Sequence, residues 1–328
     1  SSDVCSSDLS DLVPVLDLNS QPLANSYKKE QLEQQPEYPL AINRCNHCYH
    51  VQLTHQVNPE LMFKDYAYVS GTSKTMMEYF NWLVDLTVKK YGSTPESVLD
   101  IGCNDGSFLN AWGGTGASRF GVDPAENLYP ISSKNHSIHC GFFTGKEFGD
   151  RKFDVITCLN AFAHNADQLS LLKNIRDRMH EDSLLFCSTS QANMILNGEF
   201  DTIYHEHLSF YNIKSARALC DRAGLNLIDV IKHPIHGTSY IFVISKKKEN
   251  IKKYFYNDQF YQKIIKQKKD KKIKQIYTKI KKYKKMIKFV YQNSPKGTGD
   301  AILKCKNYIK GNYFLMLFPD DLIINQNC

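Results

Sequence analysis

The sequence predicts an α/β fold built on a doubly wound parallel sheet, and three observations support this. Short apolar runs recur from residue 97 onward at spacings of roughly 20 to 30 residues. Amphipathic segments separate these runs, and the first run ends in a loop that contains glycine. Parallel strands need long crossover connections, which helices normally provide.

The predicted elements follow one another in a regular order. A helix is expected from about Ser73 to Tyr91, where apolar residues recur on one face. Strands are expected at SVLDIG, RFGVD, SIHCGFF, FDVITCLNAFAH and SLLFCSTS, and helices at SFLNAW and LSLLKNIRDRM. After residue 200 come a loop, a helix that ends at Gly224, and the strands LNLIDVIK and SYIFVIS.

Composition divides the chain of 328 residues into four parts. Residues 1–70 predict a small β-rich or loop-rich module, although residues 1–12 are a low-complexity Ser/Asp/Leu near-repeat. Residues 71–200 carry the strand and helix alternation, and residues 201–248 carry a histidine-rich loop and the last strands. Residues 249–328 are Lys-rich and are expected to be the truncated or degenerate remnant of a C-terminal domain.

Charge is distributed unevenly along the chain. The formal net charge is +7, but residues 246–288 hold 18 Lys against three acidic residues and carry +15. Residues 289–328 add +1, so the first 245 residues carry −9. Binding of nucleic acid would depend on the Lys-rich segment alone, and the acidic body disfavours it.

Membrane and secreted classes are not expected. No run of about 18 apolar residues is present, and no basic start with an apolar stretch precedes residue 30. The ten cysteines are scattered, and only Cys45 and Cys48 form a CxxC pair. The sequence therefore predicts a cytoplasmic protein with reduced thiols.

The segment VLDIGCNDG predicts a ligand-binding loop at the carboxyl edge of the sheet. It presents Asp100, Gly102, Asn104 and Gly106 between a strand and a helix. The spacing matches neither the dinucleotide fingerprint nor the P-loop. It fits the S-adenosylmethionine loop of class I methyltransferases, with the amino-acid end of the ligand near Gly102.

Three later strand ends support the same ligand. Asp123, at the end of the second strand, is placed to accept hydrogen bonds from both ribose hydroxyls. Phe142 and Phe143 close the third strand and are expected to flank an adenine ring. Asn160 follows the fourth strand, where the methyl-donor end of the ligand would lie.

The pair Cys45 and Cys48 has zinc-ligand spacing, but one CxxC supplies only half of a structural site. Cys5 is the only upstream cysteine, and His47 and His50 are nearby substitutes. A structural zinc site and free thiols both remain open.

The segment EFDTIYHEHLSFY places Tyr204, His205, Glu206 and His207 in succession. A metal site, a proton-transfer site and a polar loop are the three interpretations. In an extended segment His205 and His207 would share one side and Glu206 would face the other.

Several segments together resemble the sugar C-methyltransferases that act on nucleotide-linked 4-keto-deoxyhexoses. The matching segments are LDLNSQPLANSY, YPLAINRCNHCYHVQLTH, KDYAYVSGTS, VLDIGCNDGSFL, GVDPAENL, LNAFAH, EFDTIYHEHLSFY and PIHGTS, within residues 13 to about 248. The family has two CxxC pairs, of which the first is represented here only by Cys5. Its glycine-rich C-terminal domain has no clear counterpart in the Lys-rich segment.

The resemblance implies methylation at C-3 of a nucleotide-linked 4-keto sugar, through an enolate formed by removal of the C-3 proton. It implies that Tyr204, Glu206 and His207 line the sugar site, with His207 as the base and Tyr204 as an alternative base or as donor to the enolate. His164 and Tyr66 or Tyr68 would complete the pocket.

The same resemblance implies a zinc-binding first module, a dTDP-linked substrate and a monomer or homodimer. His236 is a weaker candidate, for which a satisfied loop histidine is the preferred interpretation. The alternative functions are a small-molecule O-methyltransferase, an S-adenosylmethionine-binding remnant without turnover, and a nucleic-acid methyltransferase.

Overall fold

The computed structural model describes residues 11–27, 30, 34–192, 198–237, 239–247 and 305. Two compact units divide the chain at residue 249, and the elements below belong to the first unit. The predictions for Cys5 and for the Lys-rich segment lie outside the described residues. No helix in the described part is long and apolar enough to span a membrane.

Eleven strands and six α-helices lie in the described ranges. The strands are β1 Leu12–Pro22, β2 Glu37–Cys45, β3 Val51–Leu53, β4 Ser97–Ile101, β5 Ser118–Asp123, β6 Ser137–Cys140, β7 Phe153–Leu159, β8 Met179–Ser190, β9 Ser209–Phe210, β10 Asn226–His233 and β11 Ser239–Ser245. The helices are α1 Pro59–Phe63, α2 Lys74–Tyr91, α3 Ser107–Ala111, α4 Tyr129–Ser132, α5 Gln168–Asp177 and α6 Ile213–Ala223.

The first module is a small antiparallel sheet with the strand order β1-β2-β3-β9. Its fourth strand comes from beyond residue 200, since Val51 pairs with Phe210 and Gln52 with Ser209. A small apolar core beneath it consists of Leu40, Ile42, Val51, Leu53, Ile203, Leu208 and Phe210. The module is therefore completed by the histidine-rich segment.

The large sheet has the strand order β10-β11-β8-β7-β4-β5-β6. Strands β4 to β8 pair in parallel, as the sequence predicts. The last two strands, for which the sequence analysis predicts no direction, make the sheet mixed, because β11 pairs antiparallel with both β8 and β10. The connection between β10 and β11 is too short for a crossover, so the two strands form a hairpin.

Helix α2 matches its predicted limits because both of its ends are capped. The Ser73 hydroxyl accepts a hydrogen bond from the Met76 amide, and Gly92 ends the helix with a φ of 93°. Its buried face packs against one side of the large sheet, while α5 and α6 contribute to the core on the other. Helix α1 was not predicted; the side chain of Asn58 caps it, and Pro59 occupies its first turn.

A buried polar chain ties the two sheets together. The amide oxygen of Gln168, at the start of α5, accepts hydrogen bonds from the hydroxyls of Ser209 (3.1 Å) and Tyr211 (2.6 Å). The Nε2 atom of His50 lies 3.1 Å from the Ser209 oxygen. All four side chains are buried, so removing the shared acceptor would strand two hydroxyls away from water.

We expect Gln168→Met to lower the free energy of unfolding by about 2 kcal/mol, because a buried hydroxyl without an acceptor costs roughly that much. Adding Tyr211→Phe should cost less in this variant than in the wild type, since the Tyr211 hydroxyl has already lost its acceptor. Urea unfolding of the four proteins gives both values. Gln21→Met, at an exposed position, is the control and should change little; additive costs would contradict the shared-acceptor assignment.

Candidate functional site

A cavity of about 560 Å³ opens at the carboxyl edge of the large sheet. The loops that follow β4, β5 and β7 form one part of its wall, which we call the sheet end. The turn at residues 203–208 and the connections at 63–70 and 162–165 form the other part, which we call the turn end. Open α/β sheets bind ligands at this edge.

The loop after β4 depends on left-handed backbone at three positions. Gly102, Asn104 and Gly106 have φ values of 77°, 52° and 81°. A Cβ atom at position 102 would lie 2.4 Å from the Cβ of Ala161, so only glycine fits there. The loop can therefore pass close to a ligand in the cavity.

Asp123 is held by this loop and by its own turn. Its carboxylate accepts hydrogen bonds from the backbone amides of Asn104 (2.7 Å) and Ala125 (2.9 Å), one on each oxygen. Burial nevertheless raises its pKa. Each oxygen keeps a lone pair, and the side chain lines the cavity, so it can accept from a pair of ligand hydroxyls.

Asp100 is the most deeply buried carboxyl group of the sheet end. Its Oδ1 atom accepts a hydrogen bond of 2.6 Å from the Thr157 hydroxyl. Burial, with a smaller contribution from Asp123, raises its pKa to about 7. A ligand cation beside it would restore the charged form.

Most of the other residues predicted for the sheet end line the cavity, but Gly106 does not. Phe142, Phe143 and Asn160 line the cavity, although the two phenylalanines lie beyond β6, which ends at Cys140, rather than within it. Gly106 does not line the cavity; it caps α3 at its N-terminus, with His136 and Ser132 beside its Cα.

The histidine-rich segment is not extended, so the expectation of alternating sides is wrong. A turn closes between Tyr204 and His207, whose backbone amide donates to the Tyr204 carbonyl at 3.0 Å. The turn places the Tyr204 hydroxyl 2.9 Å from the Nε2 atom of His207. His205 points away and contacts the Tyr38 carbonyl through Nε2 at 3.1 Å.

The tautomer of His207 follows from its partners. Its Nδ1 atom lies 2.8 Å from the Thr202 carbonyl oxygen, which can only accept a hydrogen bond. Nδ1 therefore carries the proton, and Nε2 accepts from the Tyr204 hydroxyl. Burial lowers the pKa of His207 to about 4, against a smaller raising effect of Thr202. Burial also raises the pKa of Tyr204.

His164 packs between two rings at the turn end. Phe63 stacks on it with ring centres 5.3 Å apart, and His207 lies on it with ring centres 5.2 Å apart. Burial and the neighbouring His207 lower its pKa well below 6.5. Its Nε2 atom is shielded and has no hydrogen-bond partner among the described residues.

Glu206 does not line the cavity but reaches it through two residues that do. The hydroxyl of Tyr66 donates to one carboxylate oxygen at 2.8 Å, and the Asn25 amide donates to the other at 2.5 Å. Burial raises the pKa of Glu206, and these two bonds oppose the shift. Tyr68 also lines the cavity, and burial raises its pKa.

Two cavity residues were missed or undervalued by the sequence analysis. Asn25 stands 181 positions from Glu206, and only the PLANSY motif pointed to it. His236 lines the cavity, with φ and ψ of 50°, and lowers the pKa of His207 further. A non-glycine residue in this conformation within a pocket is a feature of functional sites, but sequence does not reveal it.

Two family models match the chain. Residues 76–230 match the family model described as "Methyltransferase domain", and residues 4–63 match the one described as "Putative zinc binding domain". The large sheet has the topology of the class I methyltransferase fold, with β4 to β8 in parallel and a final antiparallel hairpin. Residues 76–230 form a class I methyltransferase domain.

Two curated relatives are similar to the chain. It is 29% identical over 248 residues to the C-methyltransferase NovU of Streptomyces niveus, which covers 73% of this chain and 59% of that protein. It is 26% identical over 168 residues to a ubiquinone biosynthesis O-methyltransferase of Coxiella burnetii, covering 45% of this chain and 71% of the relative.

Among solved structures, an S-adenosylmethionine-dependent methyltransferase of Clostridium acetobutylicum aligns with a TM-score of 0.45 and 10% identity. The alignment covers 52% of this chain and 92% of that one.

The described residues include two of the three cysteines predicted to bind zinc. Cys45 and Cys48 are both buried at the end of β2 and in the turn after it. His50 is turned toward Ser209, and exposed His47 pairs with Asp11. Within the described residues no group of three or more His, Cys, Asp or Glu side chains is placed to hold a metal ion. Cys5 lies outside them, so a zinc site stays a prediction.

For the methyltransferase domain we expect His207 to be a neutral Nδ1–H tautomer that titrates only near pH 4, because burial opposes its cationic form. Long-range ¹H–¹⁵N NMR of histidine-labelled protein distinguishes the two tautomers, and His207→Gln assigns the signal. An Nε2–H tautomer, or titration near pH 6.5, would contradict the hydrogen-bond assignment.

Proposed function

We propose that the chain is an S-adenosylmethionine-dependent C-methyltransferase that acts at C-3 of a nucleotide-linked 4-keto-deoxy sugar. The observation that carries the proposal is the Tyr204–His207 pair, a proton-transfer unit that opens into the same cavity as Asp123. A C–H bond beside a carbonyl group requires such a unit before the carbon can accept a methyl group.

The sheet end fits the proposed cofactor. Asp123 has free lone pairs for two ribose hydroxyls, and Phe142 offers an exposed aromatic face in the cavity. Burial raises the pKa of Asp100, and the ammonium group of an amino acid placed beside it would stabilise the ionised carboxylate. S-adenosylmethionine bound here would supply an electrophilic methyl group.

The turn end supplies the base. The oxygen of Tyr204 receives the C-3 proton while its own proton passes to the Nε2 atom of His207. The low pKa of His207 keeps Nε2 unprotonated at neutral pH, so the unit is ready before the substrate binds. The imidazolium that forms is disfavoured by burial, and the negative enolate beside it offsets that cost.

His164 is the group best placed to stabilise the enolate. His164 lines the cavity, and its Nε2 atom lacks a partner among the described residues. With its pKa lowered, the ring is neutral and can donate through Nε2–H to the oxygen on C-4. Glu206, fixed by Asn25 and Tyr66, contributes a negative charge that orients the sugar pocket.

The likeness to the C-methyltransferase NovU supports methylation of carbon, and the linked motifs support the sugar substrate, with dTDP as the nucleotide. The chain spans 59% of the length of that relative, so the substrate is proposed and not transferred. The O-methyltransferase alternative, favoured by the second relative, predicts no use for a carbon base and is tested by the same assay.

We expect the wild-type chain to exchange the C-3 proton of a dTDP-4-keto-deoxyhexose with solvent deuterium, as followed by ¹H NMR. Tyr204→Phe and His207→Gln should slow the exchange by about 100-fold or more, since each removes one member of the relay. S-adenosylhomocysteine affinity should stay unchanged, because neither side chain is at the sheet end.

His205→Gln is the matched control, because its ring contacts Tyr38 and not the cavity. Exchange should persist in that variant. Exchange that survives in both relay variants would remove the proposed base, and O-methylation without exchange would favour the alternative.

We expect binding of S-adenosylhomocysteine to release protons from Asp100, because the ligand ammonium lowers a pKa that starts near 7. Release should approach about one proton at pH 6, fall to about one half at pH 7 and vanish at pH 9. Titration calorimetry in buffers of different ionisation enthalpy measures it.

Two comparisons isolate the carboxyl group. Methylthioadenosine lacks the amino-acid portion and should release no protons on binding. In the Asp100→Asn variant, binding of S-adenosylhomocysteine should also release no protons. Equal release with both ligands would place the ammonium elsewhere.

A further inference from the structure

Residues 64–72, which we call the strap, connect α1 to the start of α2, and Tyr66, Tyr68 and Ser70 of the strap line the cavity. Asn104 binds the strap twice, since its side chain donates to the Tyr68 carbonyl and accepts from the Ser70 amide, both at 2.9 Å. The Asp105 carboxylate accepts from the Gly71 amide at 3.0 Å. The loop after β4 thus holds one half of the strap.

Asn127, in the turn after β5, holds the other half. Its Oδ1 atom accepts from the Tyr66 amide at 3.0 Å, and its Nδ2 atom donates to the Tyr66 carbonyl at 2.9 Å. The neighbouring Glu126 amide donates to the Lys64 carbonyl at 2.8 Å. Both backbone groups of Tyr66 are therefore fixed by one side chain of the methyltransferase domain.

The same tyrosine leads to the turn end. Its hydroxyl donates to Glu206, next to the Tyr204–His207 pair, so the backbone of Tyr66 is held by the turn after β5 and its phenol contacts the turn at residues 203–208. Two bonds to one asparagine fix the direction of the Cα–Cβ bond, and hence the reach of the ring.

We infer that Asn127 is a positioning residue for the turn end: by clamping the backbone of Tyr66, it sets the phenol against Glu206. The same turn of β5 carries Asp123, through which the sheet end is proposed to hold its ligand. Asn127 thereby joins the turn that follows Asp123 to the tyrosine that contacts Glu206. The expected fall in kcat rests on the proposed function, whereas the hydrogen bonds of Asn127 and Tyr66 do not.

The test places 3-fluorotyrosine at position 66 of the full chain and follows its ¹⁹F resonance without any ligand. Asn127→Ala should shift or broaden the resonance, because the ring loses its fixed direction. Asn226→Ala is the matched control, since that side chain also bonds backbone carbonyls, at Ser245 and Lys246, far from the cavity. An unchanged resonance in Asn127→Ala would overturn the inference.

Asn127→Asp covers the case in which the alanine variant fails to fold. It keeps the acceptor for the Tyr66 amide and loses the donor to the carbonyl, so a smaller change in the same resonance is expected. A resonance identical to that of the wild type in a folded Asn127→Asp protein would overturn the clamp.

Kinetics then separate positioning from a general loss of structure. With the dTDP-4-keto-deoxyhexose as acceptor, kcat for Asn127→Ala should fall by about 10- to 100-fold. The KM for S-adenosylmethionine should stay within about 2-fold, since the bonds of Asp123 are intact. If the wild type shows no turnover, the proposed function fails, and the fluorine resonance alone decides the role of Asn127.

Discussion

The pairing of β3 with β9 is the constraint on which the rest of the structure depends. Only two residue pairs form it, Val51 with Phe210 and Gln52 with Ser209, yet it fixes the segment before β9 between two sheets. The Leu53 amide donates to the Leu208 carbonyl on one side, and the Leu208 amide donates to the Ala163 carbonyl on the other. The turn at residues 203–208 therefore cannot shift without breaking contacts to both.

This clamping explains why so polar a turn can be buried. Leu208 and Phe210 anchor it in the small core, while Tyr204, His205, Glu206 and His207 each make a side-chain hydrogen bond. Burial then raises the pKa of Tyr204 and Glu206 and lowers that of His207. Tyr204 and His207 are both neutral at rest, a condition under which a proton moves between neighbours at little cost in reorganisation.

Sequence predicted the regular part of the fold because its signals are local. The apolar runs, Ser73 and the glycine loop each specify structure within a few residues, and those elements are present. The third and fourth predicted strands are nevertheless too long, since they end at Cys140 and Leu159. Local sequence does not predict the direction of β11, because that direction depends on pairing with the free edge of β8. The turn at Tyr204 was missed for a related reason: its shape is imposed by β3 and by the Ala163 carbonyl, far away in sequence.

The acceptor pocket is not a property of the methyltransferase domain alone. Asn25 comes from the turn after β1 and Tyr66 from the strap, yet both end on the two oxygens of Glu206. A carboxylate with two neutral donors stays a fixed acceptor, whereas one with a free oxygen would rotate toward water. Because these donors precede α2, the segment before the methyltransferase domain does more than add stability: it supplies two residues that line the cavity where we propose that the acceptor binds. Under the proposed function, a homologous methyltransferase domain without this segment would keep the sheet end and lose both donors to Glu206.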